Sequence, residues 1–113
     1  MNTTMHCFVL DLKDDPVLIR EYEILHQKIW PEIAQSIHDS GIDKMEIFRA
    51  GNRLVMLMHV NERFSFDAKA AADAANPKVQ EWERLMWKYQ QALPFAAPGQ
   101  KWVSASRIFE ISR

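Results

Sequence analysis

Residues 45–60, with the sequence MEIFRAGNRLVMLMHV, predict two β-strands joined by a tight turn. The strands cover 45–49 and 54–60, because Gly51-Asn52 between them is a favourable turn pair. In the second strand, apolar residues alternate along one face, and the other face is mostly apolar as well. Such a strand is typical of a sheet that is covered on both sides.

The residues before this hairpin predict one strand and an interrupted helix. The strand runs from residue 5 to about 13, and Asp15-Pro16 then supplies an N-cap and a first helical residue. Apolar residues recur at helical spacing from residue 17, but Pro31 must break the helix near residues 29–30. A second helical segment continues to residue 40, where Gly41 is placed to end it.

The residues after the hairpin predict two more helices and a last strand. An alanine-rich helix covers 66–75 with Ser65 as a possible cap, and Asn76-Pro77 begins another that runs to about Leu93. A loop with two prolines and a glycine follows, and 102–111 is the last strand.

The element order β-α-β-β-α-β predicts a ferredoxin-like α+β fold, with a four-stranded antiparallel sheet and helices on one face. With 113 residues, the chain is long enough for one domain, residues 1–113, and too short for two. Because helices cover only one face of such a sheet, the other apolar face must be covered by another protein surface. A second copy of the same sheet is the simplest candidate, so we expect a homodimer and a dimeric α/β barrel.

Composition excludes several classes of protein. The net charge is −1 and its charges are interspersed, so we expect no nucleic-acid partner. Cys7 is the only cysteine and lies in an apolar run, as suits a buried thiol in a reducing compartment. Neither a signal peptide nor a stretch long enough to span a bilayer is recognisable, and we therefore expect a cytoplasmic protein without a membrane partner.

His26 is the strongest candidate for chemistry. It follows Tyr22 by one helical turn, at the edge of the stripe that packs on the sheet and just before the break at Pro31. An imidazole whose pKa is near neutrality can both give and accept a proton in a pocket of this kind. The alternative interpretation is a partly buried histidine that only hydrogen-bonds a carbonyl.

Tryptophans provide the second feature, because four are many for this length and an indole face stacks on the C–H face of a sugar. Trp30 and Trp82 are candidates for this role, and Glu83 beside Trp82 could bind hydroxyl groups. A core position for the tryptophans and a solvated helix face for Glu83 are the alternatives. The sequence contains no glycine-rich phosphate loop and no metal-ligand spacing, so we expect no cofactor and no metal.

The segment from Tyr22 to Glu32, YEILHQKIWPE, resembles the L-rhamnose mutarotase family, whose pattern there is Tyr-x-x-x-His-x-x-Ile-Trp-Pro-Glu. The resemblance extends through most of the chain and includes Gln80-Glu81-Trp82. It implies a dimeric ferredoxin-like fold that interconverts sugar anomers without metal or cofactor. It also implies that His26 is the general acid/base, that Tyr22 contacts the substrate and that Trp82 belongs to the pocket.

Two departures from the family pattern indicate which sugar is the substrate. Met45 stands where the family usually has a second pocket tyrosine, and the family's Trp-Trp pair becomes Trp82-Glu83, with about three extra residues before Leu93. A thioether removes a hydrogen-bond donor, whereas Glu83 adds an acceptor. Residues 78–83 and 85–88 resemble the subgroup associated with L-fucose. We therefore expect a monosaccharide substrate, a 6-deoxy-L-hexose, with L-fucose favoured over L-rhamnose.

Two functions of other classes also fit a dimeric ferredoxin-like domain with His and Trp. One is a haem-degrading or quinone-forming monooxygenase, in which His26 would bind iron or activate a substrate. The other is a non-catalytic module that senses a small molecule. The block of Tyr22, His26, Trp30 and Pro31 favours the mutarotase over both.

Overall fold

The computed structural model describes residues 4–113. In these residues the chain order is β-α-α-β-β-α-α-β-β, which confirms the predicted α+β class. The helices and strands, in chain order, are β1 (Thr4–Leu12), α1 (Pro16–Gln27), α2 (Pro31–Asp39), β2 (Ile42–Ala50), β3 (Arg53–Val60), α3 (Phe66–Ala75), α4 (Pro77–Trp87), β4 (Gln90–Gln91) and β5 (Val103–Ser104).

The sheet is antiparallel, with strand order β2-β3-β1-β4, the order of a ferredoxin-like fold. Two short strands share the position next to β1. Strand β4 pairs at Asp11 and Leu12, and β5 pairs further along at Phe8 and Val9. The sheet therefore has five strands rather than the predicted four, because its fourth position is divided between two pieces of chain.

Two predicted boundaries near the C-terminus were wrong. Helix α4 ends at Trp87 rather than near Leu93, because the backbone beyond it pairs with β1, and the Lys13 N–H donates to the Tyr89 carbonyl at 2.8 Å. The last strand covers only Val103–Ser104 rather than 102–111. After Ala105, whose N–H donates to the Cys7 carbonyl, the chain leaves the edge of β1 and no neighbouring strand pairs with it among the described residues.

Local signals set the start of α1, the break before Pro31 and the end of α2 as predicted. The Asp15 carboxylate accepts the backbone N–H groups of Val17 and Leu18 at 2.9 and 3.2 Å, which satisfies the first turn of α1. The helix stops at Gln27 and resumes at Pro31, which confirms the predicted break. Gly41 ends the second segment with φ +96°, and an added Cβ there would lie 2.8 Å from the Asn61 side-chain oxygen.

The helices cover one face of the sheet. On β3 this face is fully buried at Leu54, Met56, Met58 and Val60, whereas the residues between them are half-buried. On the other face Phe48 is 53% exposed. In the part of the chain that the structure describes, the sheet stays open and forms no closed barrel, so a barrel would need a second copy. Within residues 4–113, no helix is long and apolar enough to cross a membrane.

Candidate functional site

A pocket of about 330 Å³ lies between the sheet and the helices. Its volume is near the lower end of the range of about 300–1,000 Å³ that is usual for small-molecule sites. Five of the six residues predicted from sequence line it, namely Tyr22, His26, Met45, Trp82 and Glu83. The sixth, Trp30, does not line the pocket, but its ring packs edge-on against Trp82 with 5.1 Å between ring centroids.

Helix α1 brings Tyr22 and His26 together, as their spacing predicts. Their ring centroids are 4.3 Å apart, and His26 also meets Trp82 edge-on at 5.5 Å. The imidazole Nδ1 lies 2.9 Å from the Tyr22 backbone carbonyl. A carbonyl oxygen only accepts, so Nδ1 carries the hydrogen and Nε2 of the neutral ring keeps its lone pair. The carbonyl contact foreseen in the alternative interpretation is thus present, and it leaves Nε2 free for a ligand.

Burial keeps His26 neutral. It lowers the pKa of the imidazole below the ordinary histidine value, because the charged form loses its hydration, and the bond to the Tyr22 carbonyl offsets this only in part. At neutral pH the ring is therefore uncharged and can accept a proton at Nε2.

The Tyr22 hydroxyl stays protonated. Burial raises the pKa of Tyr22 to about 12, the negative charge of Glu83 adds to this increase, and a hydrogen bond from Gln90 opposes it. The Gln90 side-chain amide lies 3.3 Å from the phenol oxygen. A neutral base and a protonated hydroxyl thus stand side by side in the pocket.

Glu83 is not the free acceptor that its position in sequence suggests. Its carboxylate forms an ion pair with the Lys101 ammonium group at 2.7 Å, and the same ammonium donates to the Glu83 backbone carbonyl at 3.3 Å. Lys101 also lies 4.9 Å from the ring centroid of Trp87. Lysine 101 comes from the C-terminal loop, so nothing in the local sequence around Glu83 could predict the pair.

Met45 contributes to an apolar wall on the sheet side of the pocket. It pairs with Met58, and the next residue on the same face of β2, Ile47, pairs with Met56. All four side chains line the pocket. A face of this kind suits a methyl group and the C–H bonds of a ligand better than its hydroxyl groups.

Sequence reasoning missed a polar cluster that also lines the pocket. The Asp73 carboxylate accepts two hydrogen bonds from the Lys69 ammonium, at 2.8 and 3.0 Å, and one from the Ser36 hydroxyl at 3.3 Å. The spacing of Lys69 and Asp73, one turn apart in an alanine-rich helix, is the signal that could have pointed to it. Gln90 and Trp102 were missed as well. In residues 4–113, no three His, Cys, Asp or Glu side chains are grouped so as to hold a metal ion.

The fold and the pocket define a ferredoxin-like α+β protein with a histidine–tyrosine pair in a small, mostly apolar site. The sequence model described as L-rhamnose mutarotase matches residues 5–111. The chain belongs to this family and is therefore a mutarotase, an isomerase that acts on carbohydrates.

Two relatives and one solved structure are similar to this chain. An L-fucose mutarotase of Xanthomonas campestris pv. campestris is 54% identical over 94% of this chain and 86% of its own length. A protein of Dictyostelium discoideum is 33% identical over 90% of this chain and 85% of its own length. The crystal structure of an L-rhamnose mutarotase from Formosa agariphila has a TM-score of 0.71, covering 96% of this chain and 99% of that one. Its sequence identity is 20%, so it supports the fold alone.

Proposed function

We propose that this chain interconverts the α and β anomers of a 6-deoxy-L-hexose in the pocket of His26, and that it prefers L-fucose to L-rhamnose. The observation that carries the proposal is the 2.9 Å bond from His26 Nδ1 to the Tyr22 carbonyl. This bond leaves Nε2 as a proton acceptor beside the protonated Tyr22 hydroxyl. The 54% identity to a protein named L-fucose mutarotase supports the sugar.

Anomer exchange needs one proton to leave the anomeric hydroxyl and another to reach the ring oxygen. His26 Nε2 takes the proton of the anomeric hydroxyl, and the Tyr22 hydroxyl gives its proton to the ring oxygen as the C1–O5 bond breaks. The product is an open-chain aldehyde. Such positioned acid and base groups each contribute roughly 10²–10⁴-fold to the rate.

Ring closure on the opposite face of the aldehyde restores both groups. After C1 turns about the C1–C2 bond, the O5 hydroxyl attacks the carbonyl carbon and returns its proton to the Tyr22 oxygen. The imidazolium of His26 then gives its proton to the new anomeric oxygen. The cycle consumes nothing, because every proton taken in ring opening is returned in closure.

Recognition of the sugar is shared between apolar and charged parts of the pocket. Trp82 stacks on the C–H face, and Trp30 holds Trp82 in place through the edge contact at 5.1 Å. The wall that contains Met45 takes the C6 methyl group, and the pair of Glu83 and Lys101 binds hydroxyl groups. L-fucose and L-rhamnose differ in configuration at C2 and C4, so this pair can separate them.

Saturation-transfer proton NMR of each sugar at equilibrium tests the proposal. Irradiation of one anomeric proton should reduce the signal of the other anomer when the protein is present, and the effect should be larger for L-fucose. Protein-free samples provide the spontaneous rate. Absence of protein-dependent transfer with both sugars, from folded protein, would contradict the function, and a larger effect with L-rhamnose would contradict the preference.

We also propose that residues 1–113 act as one domain, that the chain is a homodimer and that it works in the cytoplasm. The open sheet face with Phe48 supports the dimer, as do exposed apolar side chains after β5, with Ile108 96%, Phe109 75% and Ile111 83% exposed. A lone thiol at Cys7 suits a reducing compartment. Light scattering should give twice the chain mass of 13.2 kDa, and a monomer would contradict the dimer.

A further inference from the structure

Gln90 is the one buried polar residue among those that the structure describes, with 4% of its surface exposed. Gln90 lines the pocket. The sequence does not predict this position, because the residues around Gln90 continue the helical pattern of α4. Its side-chain carbonyl oxygen, Oε1, is enclosed and has no hydrogen-bond partner within residues 4–113. A buried acceptor without a partner destabilises a folded protein, so its presence needs a physical reason.

The backbone holds Gln90 firmly in this position. Strand β4 pairs Gln90 with Leu12 of β1, and the Lys13 N–H donates to the Tyr89 carbonyl at 2.8 Å. This pairing ends helix α4 and turns the Gln90 side chain inward, where its amide nitrogen donates to the Tyr22 hydroxyl oxygen at 3.3 Å.

The direction of this hydrogen bond matters for the chemistry. The amide N–H group can only donate, so the phenol oxygen accepts and its own hydrogen is not used in this bond. The N–H dipole also stabilises negative charge on the oxygen when the phenol gives up its proton, and it opposes the effect of burial on the pKa of Tyr22.

We propose that Gln90 is a positioning residue, which orients the Tyr22 hydroxyl so that its hydrogen is available to the ring oxygen of the sugar. The inference rests on the proposed function, since it assigns a partner to the proton donor of that reaction. This role also explains why an amide side chain is buried at position 90. An apolar side chain of similar size would avoid the unpaired carbonyl oxygen, but it would leave the Tyr22 hydroxyl without its N–H donor.

The variant Gln90→Met tests this role, with Gln91→Met as the matched control, because Gln91 is exposed on the same short strand. Gln90→Met should lower kcat about tenfold with KM changed less than about twofold, since the sugar still binds but the proton donor is less well oriented. Its Tm should change little, because the variant removes the buried unpaired acceptor but also the donor to the buried Tyr22 hydroxyl, and these two effects on stability oppose each other. Gln91→Met should change neither quantity.

A double-mutant cycle with Tyr22→Phe shows whether Gln90 acts through the phenol. If it does, Gln90→Met in the Tyr22→Phe background should lower kcat less than about twofold further. A full tenfold loss in that background would overturn the proposal, and so would unchanged kcat in the single variant. The unmodified protein is assayed first. If it does not exchange the anomers, the proposed function fails, whereas the variants test the role of Gln90 only in a protein that is active.

Gln90→Glu supplies a second test that does not depend on packing. At pH values at which the introduced carboxyl is ionised, it accepts the hydrogen of the Tyr22 hydroxyl instead of donating to its oxygen, which should remove the proton donor from the sugar. The variant should therefore be at least as slow as Gln90→Met. Near-normal activity of Gln90→Glu at a pH at which its carboxyl is ionised would overturn the proposed direction of the bond.

Discussion

Two regions of the pocket differ in charge. The inner region is uncharged and consists of Tyr22, Trp82 and Gln90, which are buried, and His26, which is half-buried. The charged region contains two partly exposed ion pairs, which are Glu83 with Lys101 and Lys69 with Asp73.

Under the proposed function, this difference separates two tasks. In the inner region burial keeps the imidazole neutral and the phenol protonated, which is the state that proton exchange with a sugar requires. In the charged region the carboxylates and ammonium groups already neutralise one another, so they can bind hydroxyl groups without adding net charge to the pocket. Changes in the inner region should therefore affect the rate, and changes in the charged region should affect the choice of sugar.

The largest effect is expected for His26→Gln. Loss of the proton acceptor should lower kcat for L-fucose by about 10²–10⁴-fold, because the glutamine side chain keeps a polar group but no basic nitrogen. Saturation-transfer NMR gives the rate, and circular dichroism shows whether the variant is folded.

His38→Gln is the control for this variant, because His38 is exposed near the end of helix α2. It should leave the rate unchanged. A folded His26→Gln protein that keeps more than about a tenth of the normal rate would show that the base of the reaction is another group.

A smaller effect is expected for Glu83→Gln. The change removes the partner of Lys101 at 2.7 Å and should lower the ratio of kcat/KM between L-fucose and L-rhamnose about three- to tenfold. Glu81→Gln is the matched control, since Glu81 forms only an exposed pair with Lys78 at 3.6 Å. If Glu83→Gln leaves the ratio as it is, Glu83 has no part in the preference.

The inner region could be predicted in part from sequence, because its key contacts are local. Tyr22 and His26 are one turn apart in a helix whose start at Asp15-Pro16 and whose break at Pro31 are both visible in the residues. The helix that carries Trp82 could also be predicted, because its start after Asn76 is visible in the sequence.

Gln90 and Lys101 could not be predicted, because each depends on a distant contact. Gln90 lies 68 residues from Tyr22 in sequence, and strand β4, which places it, is only two residues long. A strand of that length has no alternating pattern, and in the sequence its residues read as a continuation of helix α4. Lys101 reaches Glu83 from an irregular loop, where no periodicity indicates which way a side chain points.

The most direct test of the account is nitrogen-15 NMR of the histidine rings between pH 5 and 8, with His26 assigned from the His26→Gln variant. The account predicts a neutral His26 ring with hydrogen on Nδ1 and none on Nε2, and a pKa below the ordinary value of about 6.5. The L-fucose exchange rate should fall as the pH drops through that pKa, because protonated Nε2 can no longer accept the sugar proton. Hydrogen on Nε2 in the neutral ring, or a pKa at or above the ordinary value, would contradict His26 as the base held by the Tyr22 carbonyl.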